Sequence, residues 1–290
     1  MTTVAAALAD TAARLAAAGV ESPRREAMLL MDLATGRSRM EQLADGTAEL
    51  PGEQEARLEE LVTRRCRREP FAYLAGTKEF YGRPFAVGPG VLVPRPETET
   101  LIDAALEARP DRSERLRLLD LGVGSGCLLL TLLAEFPQAS GVGVDTSEAA
   151  LAWARRNAEA LGVDDRVLLV QGCWGRQIDG AFDLIVSNPP YIDRADLADL
   201  EPELAFEPDQ ALSPGADGLQ AYRSMTPDLL RLLKPSGLVL LEIGRGQDAL
   251  LADWFHRHGL AVTVRPDLAG IGRCIVLRRA GQDQKQAASV

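Results

Sequence analysis

Apolar residues follow two different rhythms along this chain. Over residues 1–70 they recur at three- and four-residue spacing, the period of an amphipathic helix. The run MTTVAAALADTAARLAAAGV reads as a first helix reaching Ala18, with Gly19 to stop it. Ser22-Pro23 then offers an N-cap and a first-turn proline for a second helix ending near Gly36. Ser38 and Glu41 have capping-box spacing for a short third helix. Pro51-Gly52 opens a fourth, which Pro70 ends. Residues 71–95, FAYLAGTKEFYGRPFAVGPGVLVPR, change character, mixing aromatics and Val with Gly and Pro as the short strands of a hairpin do.

From Pro96 the rhythm becomes strand and helix in alternation. Helices are predicted over 97–108, 127–135, 148–161 and around 218–233. Strands are predicted over 116–121, 141–145, 167–171, 182–187, 238–243, 261–265 and 274–277. Short, continuous apolar runs separated by helices indicate a mostly parallel sheet covered on both faces. The expected organisation is a helical domain over 1–70, a hairpin linker over 71–95, an α/β domain over 96–280 and a disordered polar tail, GQDQKQAASV, over 281–290.

Composition narrows the class. A chain of 290 residues with 46% hydrophobic and 26% charged residues is that of a soluble globular protein, and no apolar stretch approaches membrane-spanning length. Asp10 interrupts the first apolar run and no cationic start precedes it, unlike a secretory signal. Cys66, Cys127, Cys173 and Cys274 are scattered, which disfavours a disulfide framework or zinc site and fits a reducing, cytoplasmic setting. A net charge of −10 argues against stable nucleic-acid binding, which needs a basic stripe. The one cationic cluster, Arg64-Arg65-Cys66-Arg67-Arg68, ends a helix that begins with Glu53 and Glu55, so both groups complement the helix dipole.

Two stretches carry chemistry. LLDLGVGSG (118–126) is a strand ending in Asp120, then a loop of Gly122, Val123, Gly124, Ser125 and Gly126, then a helix. Glycines there let backbone pass close to a ligand and leave helix amides for its anionic part. The spacing is G-x-G-x-G behind an acid, unlike the G-x-G-x-x-G of nicotinamide-binding units. Asp145 ends the next strand roughly twenty residues on, where a carboxylate grips ribose hydroxyls. The pair suits a nucleoside lacking pyrophosphate, with Asp120 beside a cationic amino-acid group, which describes S-adenosylmethionine.

The second stretch is Ser187-Asn188-Pro189-Pro190-Tyr191, at the carboxyl end of the fourth strand, where open α/β sheets bind ligands. The nitrogen of a planar amide or exocyclic amine is a poor nucleophile, because its lone pair is delocalised. The Asn188 side-chain oxygen and the Pro189 carbonyl can accept both its N–H bonds and favour pyramidalisation. The prolines hold that carbonyl rigidly, and the Tyr191 ring can pack on a planar substrate. The proton leaves after methyl transfer, so no early base is required.

Asn188 to Tyr191, following that nucleotide signature, resembles the amino-group N-methyltransferases of class I, Rossmann-like fold. Residues 69–102, FEPDQALSPGADGLQAYR (206–223), LLEIGRGQ (240–247) and PDLAGIGR (266–273) are similar to the HemK/PrmC family of release-factor glutamine N5-methyltransferases. The resemblance implies a seven-stranded sheet, and S-adenosylmethionine as methyl donor with S-adenosylhomocysteine as product. It implies methylation of the glutamine in the Gly-Gly-Gln loop of peptide chain release factors, the N-terminal domain helping to dock the factor; the chain itself is expected to be a monomer. Its cofactor site falls on Gly122–Gly126, Asp145, Trp174 and Asn188, with Trp174 beside the adenine. Its substrate site falls on Asn188, Pro189, Pro190 and Tyr191. Arg95, Pro96 and Glu97 border the cofactor pocket or brace the two domains, and Arg95 is read as a brace. The family commonly has an acidic residue where this chain has Cys173.

Two other readings compete. DNA adenine-N6 methylation uses the same chemistry on a flipped base, but needs a recognition region and a basic face. A non-catalytic adaptor that binds a translation factor needs neither Asn188 nor Asp145, and both are present.

Overall fold

A computed structural model describes residues 2–195, 200–213, 215 and 217–281. The predicted polar tail, from residue 282 on, lies outside the described residues. The chain divides into two compact units, Met1–Gly76 with Glu201–Phe206, and Thr77–Leu200 with Glu207–Val290.

The first unit holds α1 (Val4–Ala17), α2 (Pro23–Thr35), α3 (Arg39–Ala44), α4 (Gly52–Cys66) and α5 (Phe71–Ala75). Val4, Leu15, Leu30, Met31, Leu61 and Leu74 close its core. The Ser38–Glu41 capping box is formed on both sides. Ser22 departs from its predicted role: it sits at φ 49° with no side-chain cap, and its carbonyl receives the Arg25 and Glu26 amides. Phe71–Ala75 is helical, not the start of a hairpin. Pro70 opens this turn, its carbonyl accepting the Tyr73 amide at 2.9 Å, and left-handed Gly76 closes it. Burial of Leu74 thus overrides the strand preference of the aromatics. The arginine cluster is largely neutralised within the unit. Arg64 meets Glu69 at 2.6 Å, buried Arg65 meets Glu26 at 2.6 Å and Glu203 at 2.9 Å, and Arg68 meets Glu203 at 2.7 Å.

In the second unit β1 (Thr77–Phe80) and β2 (Arg83–Ala86) form an antiparallel hairpin. A 3-10 turn, Pro96–Thr98, leads into α6 (Glu99–Ala108), and then β3 (Arg117–Leu121), α7 (Cys127–Glu135), β4 (Ser140–Asp145), α8 (Glu148–Leu161), β5 (Val167–Gln171) and β6 (Phe182–Ser187) follow. After these come α9 (Asp209–Leu212), α10 (Gln220–Leu232), β7 (Leu233–Glu242), α11 (Asp248–Arg257), β8 (Leu260–Pro266) and β9 (Gly272–Arg279). The seven-stranded sheet runs β5-β4-β3-β6-β7-β9-β8, with β9 antiparallel to both β7 and β8 and the remaining pairings parallel.

Consecutive apolar residues along a strand serve opposite faces. Leu118, Leu184 and Leu240 pack with α6, α7 and α8, while Leu119, Ile185 and Leu241 pack with α10 and α11. That is why these runs lack alternation: both faces are dry. β7 begins five residues earlier than predicted. Its Lys234-Pro235-Ser236-Gly237 segment reads as a turn, and is accommodated by a register shift between the Phe182–Leu233 and Leu184–Leu238 pairings. Strand order reverses about β3, and the crevice beyond the carboxyl ends of β3, β4 and β6 is where such sheets take ligands.

Candidate active site

That crevice is a cavity of about 1070 Å³, open mouth included. Its floor is the loop after β3, its walls are Asp145, Cys173, Trp174, Asn188 and Pro190, and residues 90–92, 94, 95, Thr98, 208, 210 and 211 border it.

Asp120, the penultimate residue of β3, is 1% exposed, and its Oδ1 has no hydrogen-bond partner. Burial pushes its carboxyl up to about 8; Asp145 adds to this, and the Leu129 amide at the start of α7 works against it. An unpaired carboxylate oxygen on a cavity wall is expensive unless a cation meets it. The site is therefore shaped for a ligand carrying positive charge at that point.

Asp145 is committed differently. Its Oδ2 accepts the Gly124 amide at 3.0 Å and its Oδ1 the Ser147 amide at 2.9 Å. Burial raises its carboxyl while these amides lower it. Each oxygen keeps a lone pair for a hydroxyl donor. The glycine loop turns its amides inward more than the sequence suggests. Gly122 and Val123 both donate to the Val144 carbonyl, and Gly126 donates to that of Val123. Few loop amides are thus left for an anion, because the loop uses them to hold its own shape. Gly122 bends at φ 85° beside the cavity, and Gly126 at φ 84° leaves only 2.6 Å between a Cβ and Leu130. Gly126 does not line the cavity; it lets α7 start there.

Trp174, also left-handed at φ 53°, stands on a loop clamped by α10. Asp228 accepts the Gly175 amide at 3.1 Å, and Arg231 donates to the Gly175 and Ile178 carbonyls at 2.6 and 2.7 Å.

At the tip of β6 the Asn188 Nδ2 donates to Thr98 Oγ1 at 3.1 Å, which turns Oδ1 away from Thr98. Asn188 and Pro190 line the cavity, while Pro189 and Tyr191 are not among its lining residues. The expected stacking face of Tyr191 needs correction. Its ring packs on the core beneath α10, and its hydroxyl donates to Glu242 Oε1 at 3.1 Å. Gln247 holds the Tyr191 carbonyl at 3.0 Å. Two prolines fix the direction of the chain, and that direction carries the ring inward.

Arg95 lines the cavity and pairs with Glu207 at 2.5 Å, whose other oxygen accepts the Val93 amide at 3.1 Å. Its bracing joins two segments of the same unit. Pro96 and Glu97 are exposed. No individual role was read for Thr98, Glu207 and Glu242, although they lie in the stretches 69–102, 206–223 and 240–247, and Asp228 and Arg231 read as ordinary polar residues of a helix. Among the described residues there is no group of His, Cys, Asp and Glu able to hold a metal, and no helix long and apolar enough to cross a membrane. All four cysteines are free.

Comparison with known proteins gives the family. Residues 6–76 match the PrmC N-terminal domain and residues 98–216 the methyltransferase small domain. The release factor glutamine methyltransferase of Rhodospirillum rubrum is 45% identical over 92% of this chain and 82% of its own. That of Caulobacter vibrioides is 44% identical over 85% of this chain and 86% of its own. Among solved structures, the T. thermophilus 16S rRNA N2 G1207 methyltransferase in complex with AdoMet and guanosine aligns with a TM-score of 0.51. It shares 21% identity over 70% of this chain and 49% of its own, a likeness of fold alone.

Proposed function

The chain belongs to the family of release factor glutamine methyltransferases, and from that premise we propose the reaction and the residues that serve it. The enzyme methylates the side-chain N5 of the glutamine in the Gly-Gly-Gln motif of peptide chain release factors, using S-adenosylmethionine. The observation that carries this reading is the pairing, in one cavity, of an orphaned buried carboxylate at Asp120 with a fixed amide at Asn188.

The residues present fit the cofactor. Asp120 Oδ1 would receive its amino group, Asp145 would take its ribose hydroxyls through the remaining lone pairs, and Trp174 would pack beside its adenine. When bound, S-adenosylmethionine supplies an electrophilic methyl group on a sulfonium centre. Asn188 Oδ1 and the Pro189 carbonyl accept the two N–H bonds of the glutamine amide. Held so, the nitrogen would be favoured to leave conjugation with its carbonyl and so to present its electron pair to an electrophile. The developing positive charge strengthens both hydrogen bonds, so the acceptors favour the transition state over the ground state. The extra proton on the methylated nitrogen would pass to solvent, so no side-chain base is needed beforehand. Tyr191 acts through Glu242 and the shape of the turn, not by covering the substrate.

Asn188→Ala tests the reading. Turnover with release factor and labelled S-adenosylmethionine should fall on the order of 10²- to 10³-fold, the effect of losing one preorganised polar partner. Cofactor affinity, read by calorimetry, should stay within about threefold, because the interactions anchoring it at Asp120 and Asp145 are retained. An unchanged rate would reject the acceptor role, and label entering DNA in place of release factor would favour the adenine-N6 alternative.

A further inference from the structure

We infer that Thr98 is a positioning residue which, backed by Glu242, fixes the orientation of the Asn188 amide and so decides whether an acceptor or a donor faces the substrate. The inference rests on the reading of Asn188 as acceptor given above.

Thr98 is 1% exposed at the end of the 3-10 turn before α6, and Glu242 is 0% exposed at the end of β7. Thr98 Oγ1 lies 2.6 Å from Glu242 Oε2 and 3.1 Å from Asn188 Nδ2. A hydroxyl has one proton to give and two lone pairs. An ionised Glu242 can only accept, so it takes the proton of Thr98 on one oxygen and that of Tyr191 on the other. Thr98 is then left with lone pairs alone towards Asn188. Only the Nδ2 end of the amide can face it, and Oδ1 must take the opposite side. Turned the other way, the amide would set an oxygen against the Thr98 lone pairs and present N–H₂ to the N–H₂ of the glutamine.

The carboxylate is held from several elements. Thr98 and Glu97 approach from the turn before α6, Tyr191 from the β6 loop and Tyr222 from α10, whose hydroxyl donates to the Glu242 carbonyl at 2.8 Å. Arg273 and Cys274 belong to β9, where Cys274 is the register partner of Glu242. Arg273 is the cation among them that favours the charged form. This network joins residues 90 and 144 positions apart, each lying in a different family-like stretch, and the contact between them is not written in any one of those stretches.

Thr98→Val keeps the shape and removes the hydroxyl. Its kcat on release factor should fall roughly 10- to 100-fold, the weight of one unpaired buried donor. The KM for release factor and the affinity for S-adenosylmethionine should both hold within about twofold, which also certifies the fold. Thr98→Ser restores the hydroxyl and should recover at least a third of the turnover, about 0.7 kcal/mol at most being lost. A readout apart from activity is the Asn188 side-chain amide in the ¹⁵N-labelled full chain. One of its protons should exchange slowly in the unsubstituted and Thr98→Ser proteins and rapidly in Thr98→Val. A normal kcat for Thr98→Val, or a Thr98→Ser protein as slow as Thr98→Val, overturns the inference. If Asn188→Ala is slow while Thr98→Val is normal, the positioning role alone fails; if Asn188→Ala also turns over normally, the acceptor reading itself has failed.

Discussion

Asp120 and Glu242 are both carboxylates buried at the carboxyl ends of strands of one sheet, yet their surroundings are opposite. Asp120, on β3, has an oxygen without a partner on the cavity wall. Glu242, on β7, has both oxygens engaged, one by Thr98 and one by Tyr191. Burial raises both, Asp120 to about 8 and Glu242 to about 7. The difference is one of completeness. A buried acid that lacks a partner awaits a ligand, whereas one fully bonded by its own chain sets the orientation of its neighbours.

The largest expected effect breaks this comparison at its open end. Asp120→Asn removes the charge but keeps the shape, and S-adenosylmethionine affinity should drop on the order of 10²- to 10³-fold by calorimetry, as for the loss of one partner of a buried ion pair. The same variant should melt higher than the unsubstituted protein at pH 8 without cofactor, because no carboxylate is then stranded.

The second effect sharpens it through stability. Each acid binds its proton more tightly folded than unfolded, so its contribution is present below about pH 4 and lost as pH rises through about 7 to 8. Unliganded protein should therefore lose a few kcal/mol in urea unfolding between pH 5 and pH 8.5. S-adenosylmethionine should offset part of that loss, which Asp120→Asn removes.

A third concerns the closed end. Protonating Glu242 lets it donate to Thr98, which frees the Thr98 proton for Asn188 and reverses the amide. Turnover should consequently fall as pH drops through about 7, approaching tenfold per unit below it. A kcat profile flat from pH 5.5 to 8 would contradict this. The smallest effect is at the wall: Trp174→Ala should weaken cofactor binding about three- to tenfold, in line with one aromatic contact, with kcat at saturation nearly unchanged.

How far these features were legible depends on distance along the chain. Hydrophobic rhythm located the seven strands and four of the helices that cover them, because burial on both faces leaves a local signature in continuous apolar runs. Phe71–Ala75, α11 (Asp248–Arg257) and the early start of β7 escaped it, since short helices and the irregular first residues of a bulged strand offer few positions from which to read a period. Glycines and terminal acids marked the loop and Asp145 because turn chemistry is local too. What those groups touch was less legible: the loop amides close on Val144 and Asp145, and Tyr191 folds inward to Glu242.

By itself, then, the sequence determined the alternating architecture, the strand tips that carry chemistry, and the family through its local motifs. Tertiary structure alone decided which polar groups find partners. Hydrogen bonds are satisfied by proximity in space, and the residues that complete the site, Thr98 and Glu242 above all, come from segments that meet only when the sheet and its covering turn are assembled.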